Sequence, residues 1–558
     1  MSICNLFNQL SNSEVLSDFR NLTLISFIIF FAVAVPGQNN ELPAGKNAWV
    51  SDNGDGTYQN PVLYADYSDP DVIRVGEDFY MVSSSFSHFP GIPVLHSKDL
   101  VNWKIITHIV SNYDFGDYSK PVHGHGIWAP GIRFHNGEFY VYFGDPDVGI
   151  IMTKAKNPAG PWEPLRLVRE AKGWIDPCPF WDEDGNAYLV HAWSHSRSGI
   201  KSILTLNKMS GDGEKILDEG TMIFDGRENH PTMEGPKIYK RNGYYYIFAP
   251  AGGITPGWQT VLRSKNIYGP YEDKIVLEQG STDINGPHQG AWVELENGES
   301  WFLHFQENGP YGRIVHMNPV KWENDWPVMG IDFDGNGIGE PVRIYNKPAV
   351  RKHFGIEVPQ TSDEFDSTGL GLQWQWEGNW KKEWYSLTEN PGNLRLFSVA
   401  RNTENIYNIA NVVGQKFPAE EFNFTVKLSF DLKTNGERTG VVILGTDYAG
   451  LTILKNDGKY ILQQVTCFGA DKDSSENINS SVVLNDNSLF LKVYVRKNGR
   501  CSFAYSPDGK TFTLTGEEFT AVRGRYVGTK IGLFAVSPVN APKTGYCDYD
   551  WIRFEPVN

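Results

Sequence analysis

From about residue 60 to residue 345 the chain alternates short apolar runs with glycine turns, and helical periodicity is nearly absent. One pattern recurs: a glycine, two further residues, an aromatic, then more apolar positions. It stands at Gly137–Tyr140 (GEFYVYF), Gly185–Tyr188 (GNAYLVHAW), Gly243–Tyr246 (GYYYIFAP) and Gly298–Trp301 (GESWFLHF). The stretch YSDPDVIRVGEDFYMVSSS supplies a fifth copy, one residue longer, from Gly76 to Tyr80. The aromatic positions 80, 140, 188, 246 and 301 are spaced by 60, 48, 58 and 55 residues. A second marker keeps phase with the first, most clearly as TKAKNPAGPWEP and RSKNIYGPYED. A period near 50 built of strands and glycine turns is the signature of a propeller blade, and each unit has room for about four strands of five or six residues. Residues 58–345 therefore read as five β-blades around an axis. A β-sandwich with accidental internal similarity is the alternative, and two markers in phase argue against it.

The rhythm stops after WPVMGIDFDGNGIGEPV, and a proline-containing connector follows, NKPAVRKHFGIEVPQTSDEFD. From Asp363 to Asn558 the chain runs through short alternating strands such as FNFTVKLSFDLK, TGVVILGT and SLFLKVYVRK, which predict a β-sandwich. The fold class expected is all-β. At the other end, the apolar run from Leu22 to Val35 follows Arg20 and leads into small residues. It is short for a membrane span, so residues 1–37 read as a signal peptide, with a membrane anchor as the alternative, although the stretch before the apolar run is long and carries acids. The expectation is a secreted or periplasmic protein with no membrane span in the mature chain.

Composition narrows the partners. Aromatics make up 13% of the chain and tryptophan numbers 17, which suits both β-structure and stacking on sugar rings. A net charge of −16 repels phosphate backbones, so a nucleic-acid partner is not expected. Cys178, Cys467, Cys501 and Cys547 match no zinc spacing. They leave open one disulfide in the C-terminal half or buried free thiols.

Counting back from the repeated aromatics finds the candidate chemistry. Asp69 lies 11 residues before Tyr80, while Trp128, Asp176, Glu234 and Gln289 each lie 12 before their own aromatic. The first strand of every propeller blade lines the central channel, so equivalent positions form a ring. Asp69, Asp176 and Glu234 are thereby gathered at one mouth. A pair of carboxyl groups flanking a cleft is the equipment of glycoside hydrolysis: one, protonated, serves the leaving oxygen, and the other, ionised, activates water or attacks the sugar. A third acid would hold the donor's pKa up by like-charge repulsion. Phe86, Trp128 and Trp174 are candidates for the floor and walls of a sugar pocket.

Taken singly, Asp69-Pro70 and Asp176-Pro177 are ordinary turn starters; equivalent placement in a repeat carries the argument. A ring of carboxylates also binds Ca²⁺, so the residue pattern leaves a metal site open. DFDGNG, residues 332–337, mimics half an EF-hand loop, but the twelfth position is Arg343 in place of glutamate, and the stretch reads as a plain loop. His288 in GPHQGAW reads equally as a ring residue or a core histidine, and Arg313 in YGRIVHMNPVKW as a substrate clamp or a surface ion pair. No Ser/His/Asp elbow, P-loop or dinucleotide fingerprint occurs.

The chain resembles glycoside hydrolase family 43. The resemblance rests on NPVLYADYSDPDVIRVGEDFYMVSSSF, FPGIPVLHSKDLVNW, GIWAPGIRFHNGEFYVYF, GWIDPCPFWDEDGNAYLV, MEGPKIYKRNGYYYIF, GPHQGAWVEL and GRIVHMNPVKWENDWPV, in that order from about residue 58 to 330. It implies a five-bladed propeller that hydrolyses with inversion and requires no cofactor. Asp69 falls on the general base, Glu234 on the general acid, and Asp176 on the acid that tunes and orients Glu234. Arg313 falls on an arginine that contacts the terminal sugar. His288 falls on a histidine that sits by a central Ca²⁺ in many members. The segments DEFDSTGLGLQWQW and DYDWIRFE resemble the lectin-like, concanavalin-type sandwich appended to xylosidases of that family. That sandwich packs against the propeller and can wall off the pocket; an independent carbohydrate-binding module is the alternative.

The expected activity is exo-acting removal of terminal pentosyl units from plant hemicellulose oligosaccharides. SFSHFPG carries His88 where the xylosidase branch often has tryptophan, which tilts the expectation slightly to α-L-arabinofuranosyl over β-D-xylosyl ends. The rivals are a non-catalytic polysaccharide-binding protein and a retaining transglycosidase of a related five-bladed family.

Overall fold

The computed structural model describes residues 47–557. The signal-peptide expectation for residues 1–37 falls outside them. Five four-stranded antiparallel sheets follow one another at 71–110, 128–170, 174–225, 237–277 and 288–329, each with its strands in simple sequence order. The repeated glycines are the hairpin turns: Gly76, Gly137, Gly185, Gly243 and Gly298 all have positive φ between a blade's first and second strands. They are a five-bladed propeller. Its ends are joined where Thr57–Gln59 pairs with Ile344–Asn346, and where the Asn60 side-chain amide bonds the carbonyls of Met317 and Val342, each at 2.7 Å.

The inner strands share one local device. At the channel mouth the chain passes through a left-handed residue in every blade: Asp69 (φ 54°), Ala129 (36°), Asp176 (57°), Gly235 (60°) and Gln289 (33°). Four of these are not glycine, and each such position costs roughly 1–2 kcal/mol, a strain characteristic of functional sites. Bulges follow at Trp128/Gly131, Ile175/Cys178 and His288/Gly290, re-aiming side chains at the rim of the ring. The two acids of the SDPD stretch separate here. Asp69 turns to the mouth, while Asp71 is wholly buried and takes the Ile132 N–H at 2.8 Å and Arg133 Nη1 at 2.7 Å, tying the first blade to the second.

Residues from 375 onward build two eight-stranded sheets packed face to face. The pattern is visible in Ser488–Arg496, which buries Leu489, Leu491, Val493 and Val495 and turns Phe490, Lys492, Tyr494 and Arg496 outward. Burial of each such aliphatic side chain is worth about 1.5–3 kcal/mol. Cys178, Cys467, Cys501 and Cys547 are all free and buried, which settles the thiol question against a disulfide among the described residues. No helix among the described residues is long and apolar enough to cross a membrane.

The sandwich docks on the propeller through shared backbone. Phe89 and Trp376 exchange N–H···O bonds at 3.1 and 2.7 Å, and the Gln375 amide donates to the Pro90 carbonyl at 2.8 Å. Beside them lies a buried charge cluster. Glu377 takes Lys530 Nζ at 2.6 Å and His88 Nε2 at 3.1 Å. His88 is therefore an interface residue, its ring turned to Glu377. His88, His123 and Glu377 offer ligand atoms within 4.8 Å of one another. The Lys530 ammonium already supplies the counter-charge a metal would bring.

Candidate active site

The left-handed turns bring Asp69, Asp176 and Glu234 to one open cavity of about 420 Å³, which Arg313 enters from the start of the strand Arg313–Glu323; the volume is within the usual size of a small-ligand pocket. Asp69 is held from two sides. Ser84 Oγ donates to its Oδ2 at 2.6 Å, and Arg313 Nη1 lies 3.0 Å from Oδ1 and 3.3 Å from Oδ2. Ser84 Oγ in turn accepts the Ala129 N–H at 2.7 Å, so the second blade steadies the carboxylate of the first. Arg313 packs over the Phe305 ring at 4.8 Å, which leaves its guanidinium little freedom.

Asp176 is 2% exposed, and its Oδ2 accepts the Gly235 N–H at 2.7 Å. That bond fixes the peptide immediately after Glu234. The Glu234 side chain is itself 32% exposed where it lines the cavity. Its confinement by protein pushes its pKa up, and the negative charges of Asp176 and then Asp69 push further, to about 8, against the pull of Arg313. Glu234 thus keeps its proton at neutral pH. Asp176 is raised less, to about 6, by burial and by Asp69; the Gly235 N–H, Lys237 and Gln289 oppose the rise. One carboxyl kept protonated near another clamped by an arginine is the division of labour that acid–base chemistry needs.

The aromatic walls differ in part from the sequence expectation. Phe86 and Trp128 line the cavity, with centroids 6.1 Å apart. Trp174 does not. It is stacked on His191 at 3.8 Å, and Trp193 takes its place in the wall. The fourth aromatic is Tyr526, whose ring lies 5.3 Å from Trp128 and 5.9 Å from Phe86. It comes from the sandwich, nearly 400 residues further along the chain than Trp128, and no sequence signal marks it. His288 is wholly buried and is not among the residues lining the cavity; its Nε2 lies 3.4 Å from Glu234 Oε1, so it stands behind that carboxyl. Burial, Arg313 and His304 lower its pKa to about 3, so it is neutral. The 332–337 loop is exposed and closes on itself through Asp332, which accepts the N–H groups of Gly335 and Gly337.

Comparison with known proteins agrees with this geometry. Residues 58–327 match the model of glycosyl hydrolases family 43, and residues 362–555 match the beta-xylosidase C-terminal concanavalin A-like domain. The chain is 42% identical over 487 residues to a putative beta-xylosidase of Xylanibacter ruminicola, covering 86% of each protein. It is 30% identical to a non-reducing end alpha-L-arabinofuranosidase of Bacteroides ovatus, covering 89% of this chain and 94% of that one. The crystal structure of the GH43 protein BlXynB from Bacillus licheniformis superposes with a TM-score of 0.78 at 30% identity, over 90% of this chain and all of that one. With its propeller, its appended sandwich and its cluster of three acids, this chain belongs to glycosyl hydrolase family 43 and is a glycosidase.

Proposed function

We propose that the enzyme removes single pentosyl units from the non-reducing ends of hemicellulose oligosaccharides, with inversion at the anomeric carbon. In this reading Asp69 is the general base, Glu234 the general acid, and Asp176 the group that keeps Glu234 protonated and oriented. A terminal sugar stands in the cavity with its ring against Phe86, Trp128 and Tyr526, and Arg313 contacts its hydroxyls. Asp69 takes a proton from water as that water attacks the anomeric carbon, and Glu234 gives its proton to the departing oxygen. The observation that carries the proposal is the unequal pair: Glu234 raised to about 8, and Asp69 clamped by Arg313 and Ser84.

β-D-Xylosyl ends are proposed as the main substrate and α-L-arabinofuranosyl ends as the second. Relatives carry both names, and His88, the residue that favours arabinofuranoside in the sequence, faces Glu377 and is not among the residues lining the cavity. Nitrophenyl β-D-xylopyranoside and α-L-arabinofuranoside, with the product anomer followed by NMR, test the proposal. The expected result is faster turnover of the xyloside, with α-xylose formed first. Initial β-xylose would refute inversion, and a faster arabinofuranoside would reverse the order of substrates. Export is proposed on the apolar run from Leu22 to Val35, and N-terminal sequencing of protein recovered outside the cytoplasm tests it.

A Ca²⁺ beside His288 is the remaining implication of the resemblance. Both ring nitrogens of His288 are buried without a hydrogen-bond partner, an orphan pair that a ligand or a water would satisfy. Ca²⁺, however, takes about six to eight oxygens, and the carboxyl in contact with His288 is that of Glu234, at 3.4 Å. A cation there would draw the proton from the group that must deliver it. The side chains present do not make a calcium cage, and no step is routed through the ion.

A further inference from the structure

We infer that Asp66 is a positioning residue that holds the sandwich wall of the sugar site in register with the catalytic base. Asp66 lies three residues before Asp69 and is 7% exposed. Its Oδ1 accepts the backbone N–H of Arg313 at 2.8 Å and Ser68 Oγ at 3.1 Å, and its Oδ2 accepts the backbone N–H of Gly528 at 3.1 Å. Each bond leads to the active site. Arg313 is the residue whose guanidinium grips Asp69. Ser68 immediately precedes Asp69. Gly528 is two residues from Tyr526, the only side chain from the sandwich that lines the cavity among the described residues. The main chain of Asp66 adds a fourth tie, its carbonyl accepting the half-buried ammonium of Lys416, also from the sandwich.

The joint is too close for side chains. A Cβ on Gly312 would lie 2.6 Å from Asp66 Cγ, and one on Gly528 would lie 2.9 Å from the Tyr311 carbonyl carbon. Tyr526 itself has φ 66°, a conformation that a bulky residue adopts only where its surroundings impose it. A carboxylate suits the joint because three donors converge on its two oxygens. Asparagine has one acceptor oxygen, and its amide N–H₂ would confront the N–H of either Gly528 or Arg313. The docking of the two domains does not depend on Asp66, since the Phe89–Trp376 and Glu377–Lys530 contacts lie elsewhere in the interface. Its effect is therefore local, on the backbone at Arg313 and on the loop that presents Tyr526, while the Arg313 guanidinium keeps its separate hold on Asp69.

The inference rests on the glycosidase reading of the cavity but not on which pentose is preferred, so the test uses whichever nitrophenyl pentoside the wild type cleaves. Asp66→Asn should raise KM about tenfold with kcat changed less than about threefold, the mark of lost binding rather than lost chemistry. Tyr526→Ala should raise KM in the same way. The double variant should be no worse than Tyr526→Ala alone, because Asp66 reaches the substrate through the loop that carries Tyr526. Multiplying effects, an unchanged KM in Asp66→Asn, or a fall in kcat alone would overturn the inference. An unchanged KM in Tyr526→Ala would instead remove the sandwich from the sugar site. If Asp66→Asn does not fold, hydrogen–deuterium exchange on the wild type decides: slow uptake over residues 522–529 supports the joint, and complete exchange at the first time point overturns it.

Discussion

Asp176→Asn isolates the electrostatic part of the proposed acid–base arrangement. The substitution keeps an oxygen to accept the Gly235 N–H, 2.7 Å away, and removes the negative charge. Glu234 rises from an ordinary 4.5 to about 8 through burial, Asp176 and Asp69 in descending order, with Arg313 opposing. Asp176 is the larger of the two like charges acting on Glu234, and each pH unit that its removal takes from that pKa is worth ~1.4 kcal/mol. The assay is the pH profile of kcat/KM on a nitrophenyl pentoside. A general acid must be protonated, so in the wild type activity falls as pH rises through about 8. In Asp176→Asn that basic limb should move down by about one unit. The loss should be larger for a poor leaving group than for nitrophenolate, which departs with little help from a proton donor. Asp176→Ala should shift the limb equally and lose further activity, because it also frees the Gly235 peptide. A basic limb that stays in place in Asp176→Asn would refute the assignment of Asp176 as the charge that keeps Glu234 protonated.

The interface and the thiols give further tests. Glu377→Gln leaves the buried Lys530 ammonium without its counter-charge, and urea unfolding at neutral pH should show a loss of about 3–5 kcal/mol. Burial alone would raise the Glu377 pKa, but Lys530, His88 and His123 hold it well below the ordinary 4.5, so this stability is present above that pH and fades as the pH falls below it. A reductant should leave the melting temperature unchanged, because the four described cysteines are free and buried; thiol titration of the native protein should likewise be slow.

Periodicity alone was enough to read five blades, since Gly76, Gly137, Gly185, Gly243 and Gly298 mark hairpins that any four-stranded blade must make. The same counting located Asp69, Asp176 and Glu234, because a repeat converts sequence phase into position around a ring. It was less reliable within a residue of the mouth. The left-handed turn falls on Asp176 in the third blade but on Gly235, one past Glu234, in the fourth, and only backbone conformation decides which side chain then faces the cavity. Trp174 and Trp193 show the same limit: they are paired across two strands, yet Trp193 lines the cavity while Trp174 stacks on His191.

The sequence by itself determined the two β-domains, the ring and the identity of its acids, because hydrophobic alternation and turn chemistry act over a few residues and repeat. Tertiary structure alone decided that Tyr526 lines the cavity, that His88 serves the interface and that Asp66 bonds the backbone of both Arg313 and Gly528. These depend on contacts between segments hundreds of residues apart, set by how one folded surface fits another, and no local pattern encodes that fit.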